Sequence, residues 1–166
     1  INEIYGWIFT KCYGLECIGL RYFNIFGPRQ DPNGPYAAVI PKFINLMKQN
    51  RRPTINGDGS YSRDFTYIGD VWKILKFFIS YKKVNKNMVY NICSNKPIHL
   101  SKIMNIINGL TLKKPKIIKR SLQKADIIKT HGDNKKIKTL TKFKNFTKIE
   151  KGLEKTIEWF RNYYKV

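Results

Sequence analysis

The run from Gly19 to Tyr36, GLRYFNIFGPRQDPNGPY, constrains this chain most, because an apolar strand from Glu16 to Phe23 delivers the backbone straight into a polar loop. That loop, Asn24 to Tyr36, carries Asn, Arg, Gln and Asp among glycines and prolines. In open α/β sheets the loops at the carboxyl ends of strands are where ligands bind. Farther on, Asn56-Gly57-Asp58-Gly59 reads as a turn. Ser62-Arg63-Asp64-Phe65 then sets an arginine and an acid beside an aromatic, a group suited to gripping a phosphate and stacking on a base.

Around this run the hydrophobic spacing predicts alternating elements. Helices are expected over Asn2 to Tyr13 (Ile4, Trp7 and Ile8 on one face), over Ala38 to Asn50, and around Val71, Leu75, Phe78 and Ile79. A further helix carries Leu100, Ile103, Ile107 and Leu110, a short one spans Asn134 to Leu140, and a last one follows Gly152. Strands are expected at Thr54 to Asn56, Arg63 to Tyr67, Met88 to Cys93 and Lys116 to Lys119, with a turn at Asn95-Lys96-Pro97. Alternation of this kind predicts an α/β fold with a smaller α/β cap. No Gly-x-Gly-x-x-Gly occurs, so the phosphate-cradling turn of a dinucleotide fold is absent from these residues.

Composition narrows the function classes. At 166 residues there is room for one domain with a real core, and no apolar run approaches the ~20 residues of a membrane helix. Cys12, Cys17 and Cys93 are odd in number and lack CxxC spacing, which argues against a disulfide framework or zinc site and for small buried hydrophobes. His99 and His131 lie far apart, and no metal site is expected. The net charge of +21 invites a polyanion partner, but its distribution does not support one. Residues 1–72 hold 8 Lys+Arg and 6 Asp+Glu, whereas residues 73–166 hold 24 and 5, so the charge lies mainly outside the motif-bearing part. Lys, Ile and Asn share A/T-rich codons, so a base-composition bias accounts for the scattered lysines without a nucleic acid.

Through Arg21 to Gln30, RYFNIFGPRQ, the chain resembles the extended short-chain dehydrogenase/reductase family, in particular its NAD-dependent nucleotide-sugar epimerases and dehydratases. The continuation Asp31 to Phe43, DPNGPYAAVIPKF, is similar to the branch that epimerises UDP-N-acetylglucosamine or its uronic acid at carbon 4. Ile55 to Gly59, Ser62 to Phe65, Tyr67-Ile68-x-Asp70-Val71 and Val89 to Ile92 continue the pattern in order. The resemblance implies the C-terminal part of a Rossmann-type NAD(P)-binding fold with its smaller α/β substrate-binding domain. Residues 1–37 would be the last part of the Rossmann core and 38–166 mainly the substrate-binding region.

The implied chemistry is transient oxidation of a UDP-sugar at carbon 4 by bound NAD, with a Tyr-x-x-x-Lys pair supplying the base. Neither that pair nor the Gly-rich loop occurs here, so no catalytic residue is assigned and the chain is expected to be inactive alone. Asn2 to Tyr13 reads as a helix already under way, and the expectation is a fragment cut within it. The resemblance also implies a cytoplasmic enzyme that works with a UDP-sugar, touches neither nucleic acid nor membrane, and forms a homodimer at full length. Alternatives are a UDP-glucuronate epimerase, a dTDP- or UDP-sugar dehydratase, or, from different classes, a basic nucleic-acid-binding module or an inactive remnant.

Residue by residue, the resemblance places Tyr22 and Phe23 against the nicotinamide of NAD, although either also suits a strand core. Asn24 would donate its amide to the diphosphate; the plainer reading is a turn residue after a strand. Ala38 and Val39 open a helix whose free backbone N–H groups can meet a uracil or phosphate. Phe43 would line the base pocket or serve as a core aromatic, and Thr54 and Asn56 would flank the uridine. Arg63 would bind two phosphate oxygens with its planar fork, the competing role being an ion pair with Asp64 or Asp70. Gln123-Lys124-Ala125-Asp126 stands where the family has its second phosphate clamp, with Gln123 neutral and Asp126 on the ribose or on the clamp. Thr130-x-Gly132-Asp133-x-x-Lys136 supports that register.

Overall fold

The computed structural model describes residues 1–34, 38–80, 88–122 and 126–164. Its elements run α1 (Asn2–Tyr13), β1 (Gly19–Tyr22), β2 (Asn24–Phe26), α2 (Val39–Lys48), β3 (Thr54–Asn56), β4 (Ser62–Tyr67) and α3 (Ile68–Ser80). Then follow β5 (Val89–Ile92), β6 (Pro97–His99), α4 (Leu100–Thr111), β7 (Ile118–Arg120), α5 (Lys135–Thr141) and α6 (Ile149–Tyr164). The mixed α/β architecture is the one the alternation predicts.

The pairing shows how one extended run serves two sheets. β1 pairs in parallel with β5, from Gly19↔Val89 to Tyr22↔Ile92. The Phe23 amide still donates to Ile92 O at 3.3 Å, and the chain then passes to β4, with Asn24↔Phe65 and Phe26↔Tyr67. The expected single strand ending at Phe23 is therefore corrected: extended chain begins at Gly19 and continues through Phe26, where tertiary pairing overrides the turn preference of Asn24. β6 adds antiparallel to β4, and β3 pairs in parallel with β7. β5 ends before Asn95, as expected, and Pro97 is the first residue of β6, a position where a missing N–H is tolerated.

Two apolar clusters hold these layers. The larger joins α2, α4 and α6 to the β2–β4 pair through Phe26, Ile40, Phe43, Met47, Phe65, Ile103, Ile107, Leu153 and Phe160. On α2 the stripe is Ile40, Phe43, Ile44 and Met47, one helical face, and each such burial contributes about 1.5–3 kcal/mol. The smaller cluster packs Val71 and Ile74 of α3 and Ile137 of α5 against Tyr90 and Ile92 of β5.

Gly152 does not precede the last helix but lies inside α6. A Cβ there would stand 2.7 Å from Phe26 Cζ and 3.1 Å from Tyr67 Cδ2, so the helix can lie on the sheet only where the side chain is missing. Asp70, buried in α3, anchors the approach to this helix by accepting bonds from the Thr147 amide (2.6 Å) and hydroxyl (3.0 Å).

α1 behaves differently. It has no buried residue, and its expected apolar face is open, with Ile4 63% and Trp7 52% exposed. Arg21 of β1 ties the helix down through a two-pronged ion pair with Glu3, at 2.6 and 2.7 Å. Of the three cysteines only Cys93 is buried; Cys12 is exposed, because it sits on this open helix.

Candidate functional site

Between the start of α2 and the β3–β4 region lies a cleft of about 280 Å³. Its walls are Asn24 from β2, Ala38, Val39, Ile40 and Phe43 from α2, Thr54 and Asn56 from β3, Arg63 and Phe65 from β4, Leu100 from α4, and Tyr61 and Asp126 from connecting segments. Eight of the sequence-predicted substrate residues thus meet in one cavity: Asn24, Ala38, Val39, Phe43, Thr54, Asn56, Arg63 and Asp126. Gln123 lies outside the described residues.

Each wall has a local reason for its chemistry. Ala38 is the N-cap of α2 in extended conformation and makes no side-chain cap, so the first N–H groups of the helix stay available. Pro41, within the first turn, removes a donor that would have had no helical partner in any case. The positive end of the α2 dipole therefore faces the cleft. Phe43, 2% exposed, lines the cavity and is part of the larger core.

Arg63 does not pair with the carboxylates nearest in sequence. Its Nη1 donates to Ser62 O at 3.0 Å and to Ile128 O at 3.3 Å. Asp64 is wholly buried and accepts from the Ser94 amide and hydroxyl, the Asn95 amide and the Gly132 amide. Asp70 is engaged by Thr147 and Lys73. One corner of the guanidinium is therefore fixed to backbone, and its remaining N–H groups have no protein partner among the described residues. A fork held this way can meet two oxygens of one anion.

Asn24 accepts a hydrogen bond on Oδ1 from the Thr130 hydroxyl at 3.0 Å, and its amide nitrogen has no acceptor among the described residues. Asn56 Nδ2 donates to Asp126 Oδ2 at 3.3 Å, so the acid is held at the rim beside β3. Tyr61 is a polar aromatic of the lining that the sequence pattern did not single out, as it did not single out the apolar walls Ile40 and Leu100. Its ring packs so close to Gly57 that a Cβ there would lie 2.5 Å from Tyr61 Cε2, and the positive φ of 71° at Gly57 likewise favours glycine. The Gly57-Asp58-Gly59 turn is the signal that an aromatic folds back at this point.

Tyr22 and Phe23 are not brought into this cleft. Tyr22, at the carboxyl end of β1, is 50% exposed, whereas Phe23 turns its ring toward Gly132 and Cys93. A planar cofactor ring could meet the exposed face of Tyr22, but nothing else described here cradles a dinucleotide phosphate. The Cys93 thiol is pushed up to about 12 by burial and then by the Asp64 carboxylate, so it stays protonated at neutral pH. Among the described residues, no group of three or more His, Cys, Asp or Glu side chains could hold a metal, and no helix is long and apolar enough to cross a membrane.

A cleft built on strand ends and a helix N-terminus, in a mixed α/β frame, is the architecture of nucleotide-binding α/β proteins. Residues 2–93 match the NAD dependent epimerase/dehydratase family, and the chain belongs to it. It is 34% identical over 163 residues to a UDP-N-acetyl-alpha-D-glucosaminuronate decarboxylase of Bacillus cytotoxicus, an overlap covering 92% of this chain and 50% of that protein. Its fold superposes on a UDP-N-acetylglucosamine 4-epimerase of Methanobrevibacter ruminantium, in complex with UDP-N-acetylmuramic acid, with a TM-score of 0.89 and 34% identity, covering 97% of this chain and 51% of that one. A UDP-glucose 4-epimerase of Thermotoga maritima with UDP-glucose gives 0.90 and 31%, covering 98% and 51%. The chain spans about half the length of the relatives it matches.

Proposed function

We propose that this chain is the sugar-nucleotide-binding portion of a UDP-sugar 4-epimerase, and that the cleft takes the UDP moiety. The observation that carries the reading is the convergence of Asn24, the open start of α2 and the half-free Arg63 fork on one cavity. Asn24 donates to a phosphate oxygen, Arg63 grips the diphosphate, and the N–H groups at Ala38 and Val39 meet the uracil or the phosphate. Phe43, Thr54 and Asn56 border the base and ribose, and Asp126 orients the ribose side through Asn56.

NAD, when bound to the whole enzyme, supplies the transient hydride acceptor for carbon 4, and Tyr22 and Phe23 stand on its side of the sheet. Residues 1–37 belong to the Rossmann portion and residues 38–166 mainly to the substrate-binding region, with β5 returning to pair with β1. The sequence holds neither a Tyr-x-x-x-Lys pair nor a Gly-x-Gly-x-x-Gly turn, so these residues alone bind the nucleotide without turning it over. The open face of α1 is the surface that the rest of the enzyme, as a homodimer, covers. A uronic-acid substrate is the second reading, favoured by the glucosaminuronate relative. The cleft serves both, because both substrates carry UDP.

The test is calorimetric titration of UDP into this chain and its Arg63 variants. Charge-assisted hydrogen bonds are worth about 1.5–3 kcal/mol, so Arg63→Ala should weaken UDP roughly ten- to a hundred-fold. Arg63→Lys should recover only part, since a point charge does not reproduce the fork. Unchanged UDP affinity together with a lowered Tm would make Arg63 a structural residue and the reading wrong.

A further inference from the structure

The hydrogen bond from Thr130 to Asn24 belongs to a chain that starts at a backbone donor. The Asp64 backbone N–H, which can only donate, points at Thr130 Oγ1 from 3.1 Å. The threonine oxygen accepts there, and its single hydrogen is given to Asn24 Oδ1 at 3.0 Å. The carboxamide of Asn24, a wall of the cleft, therefore turns its oxygen to Thr130 and keeps its NH₂ for other partners. Among the described residues that nitrogen has no protein acceptor.

Thr130 is itself held rigidly. Its amide donates to Ser62 O at 3.1 Å, and Lys129 forms a parallel bridge with Ser62. Two residues on, the Gly132 amide donates to Asp64 Oδ2 at 3.2 Å, and Gly132 is packed too closely on Cys93 and Phe23 to admit a Cβ, which would lie 2.5 Å from Cys93 Sγ. A side chain 106 residues away in sequence thus holds the carboxamide oxygen of Asn24.

We infer that Thr130 is a positioning residue that makes this wall of the cleft a pure hydrogen-bond donor, and so selects an anionic group for it. The inference rests on the UDP reading of the cleft. Without the threonine hydroxyl, the carboxamide is free to turn its oxygen inward, where it repels a phosphate and leaves the uridine end untouched.

The experiment titrates UDP and uridine separately into the wild-type chain, Thr130→Val and Thr130→Ser. Thr130→Val should weaken UDP about tenfold and change uridine less than twofold, while Thr130→Ser should bind both as the wild type does. A merely structural role for Thr130 would weaken UDP and uridine by the same factor, and that result overturns the inference, as does unchanged UDP binding. Should Thr130→Val fail to fold, Asn24→Asp provides the second arm, because it keeps an oxygen for Thr130 and replaces the donor by an acceptor. It should lose at least tenfold in UDP with uridine unchanged, and equal loss of both ligands again overturns the proposal. A wild-type chain that binds no UDP overturns the parent reading, and this inference with it. UDP binding that ignores both substitutions overturns this inference alone.

Discussion

The cleft-bearing side of the molecule and its α1 end put their apolar residues to opposite use. Around the cleft, Ile40, Met47, Ile103, Ile107 and Leu153 are all 0% exposed. On α1, Ile4, Trp7 and Phe9 stay 63%, 52% and 46% exposed, and the helix holds on through Gly6 against Cys17 and the Glu3–Arg21 pair. The first region closes its own core and can shape a pocket without help. The second carries apolar surface in excess of what it buries. The lesson is that the proposed nucleotide cleft sits on the part of the chain that closes its own core.

The hardest blow to that contrast should come from Asp64. Its buried carboxylate takes four hydrogen bonds from the 94–95 and 132 segments, and those donors would lose their partner in Asp64→Ala. Bonds to a charged group are worth about 1.5–3 kcal/mol each, and the expected loss is about 3 kcal/mol or more, read as a fall in the urea midpoint. A near-neutral result would mean that the cleft side does not depend on its buried network. Gly152→Ala is the next test, since the new Cβ collides with Phe26; about 1–3 kcal/mol of destabilisation is expected from overpacking. Trp7→Glu on α1 should change stability by no more than about 0.5 kcal/mol, because it removes little packed surface. A loss as large as that of Gly152→Ala would show that α1 is packed after all, and the comparison would collapse.

Much of this was legible before the structure. The Ile40-Phe43-Ile44-Met47 stripe announces α2, and the motifs from Asn24 to Arg63 announce the family, their residues meeting in one cavity. What linear order hides is distance in space. The Asp64–Thr130–Asn24 chain joins three residues 66 and 106 positions apart, and no local pattern marks Thr130 as a partner of Asn24. Tyr61 reads as one aromatic among many until Gly57 is seen beneath its ring. Asn24 looked like a loop residue because its strand forms only by pairing with Phe65, and Gly152 looked like a helix boundary because the Phe26 ring that requires it is 126 residues earlier.

The central claim, that this cleft takes UDP through donors presented by β2, α2 and β4, is tested most directly by following the ¹H–¹⁵N resonances of the chain while UDP is added. The account predicts saturable shifts confined to the Asn24 side-chain amide, the backbone of Ala38 to Ile40, and Thr54, Asn56 and Arg63. Shifts spread instead over the basic run from Lys113 to Arg120, or no saturable shift at all, would contradict it.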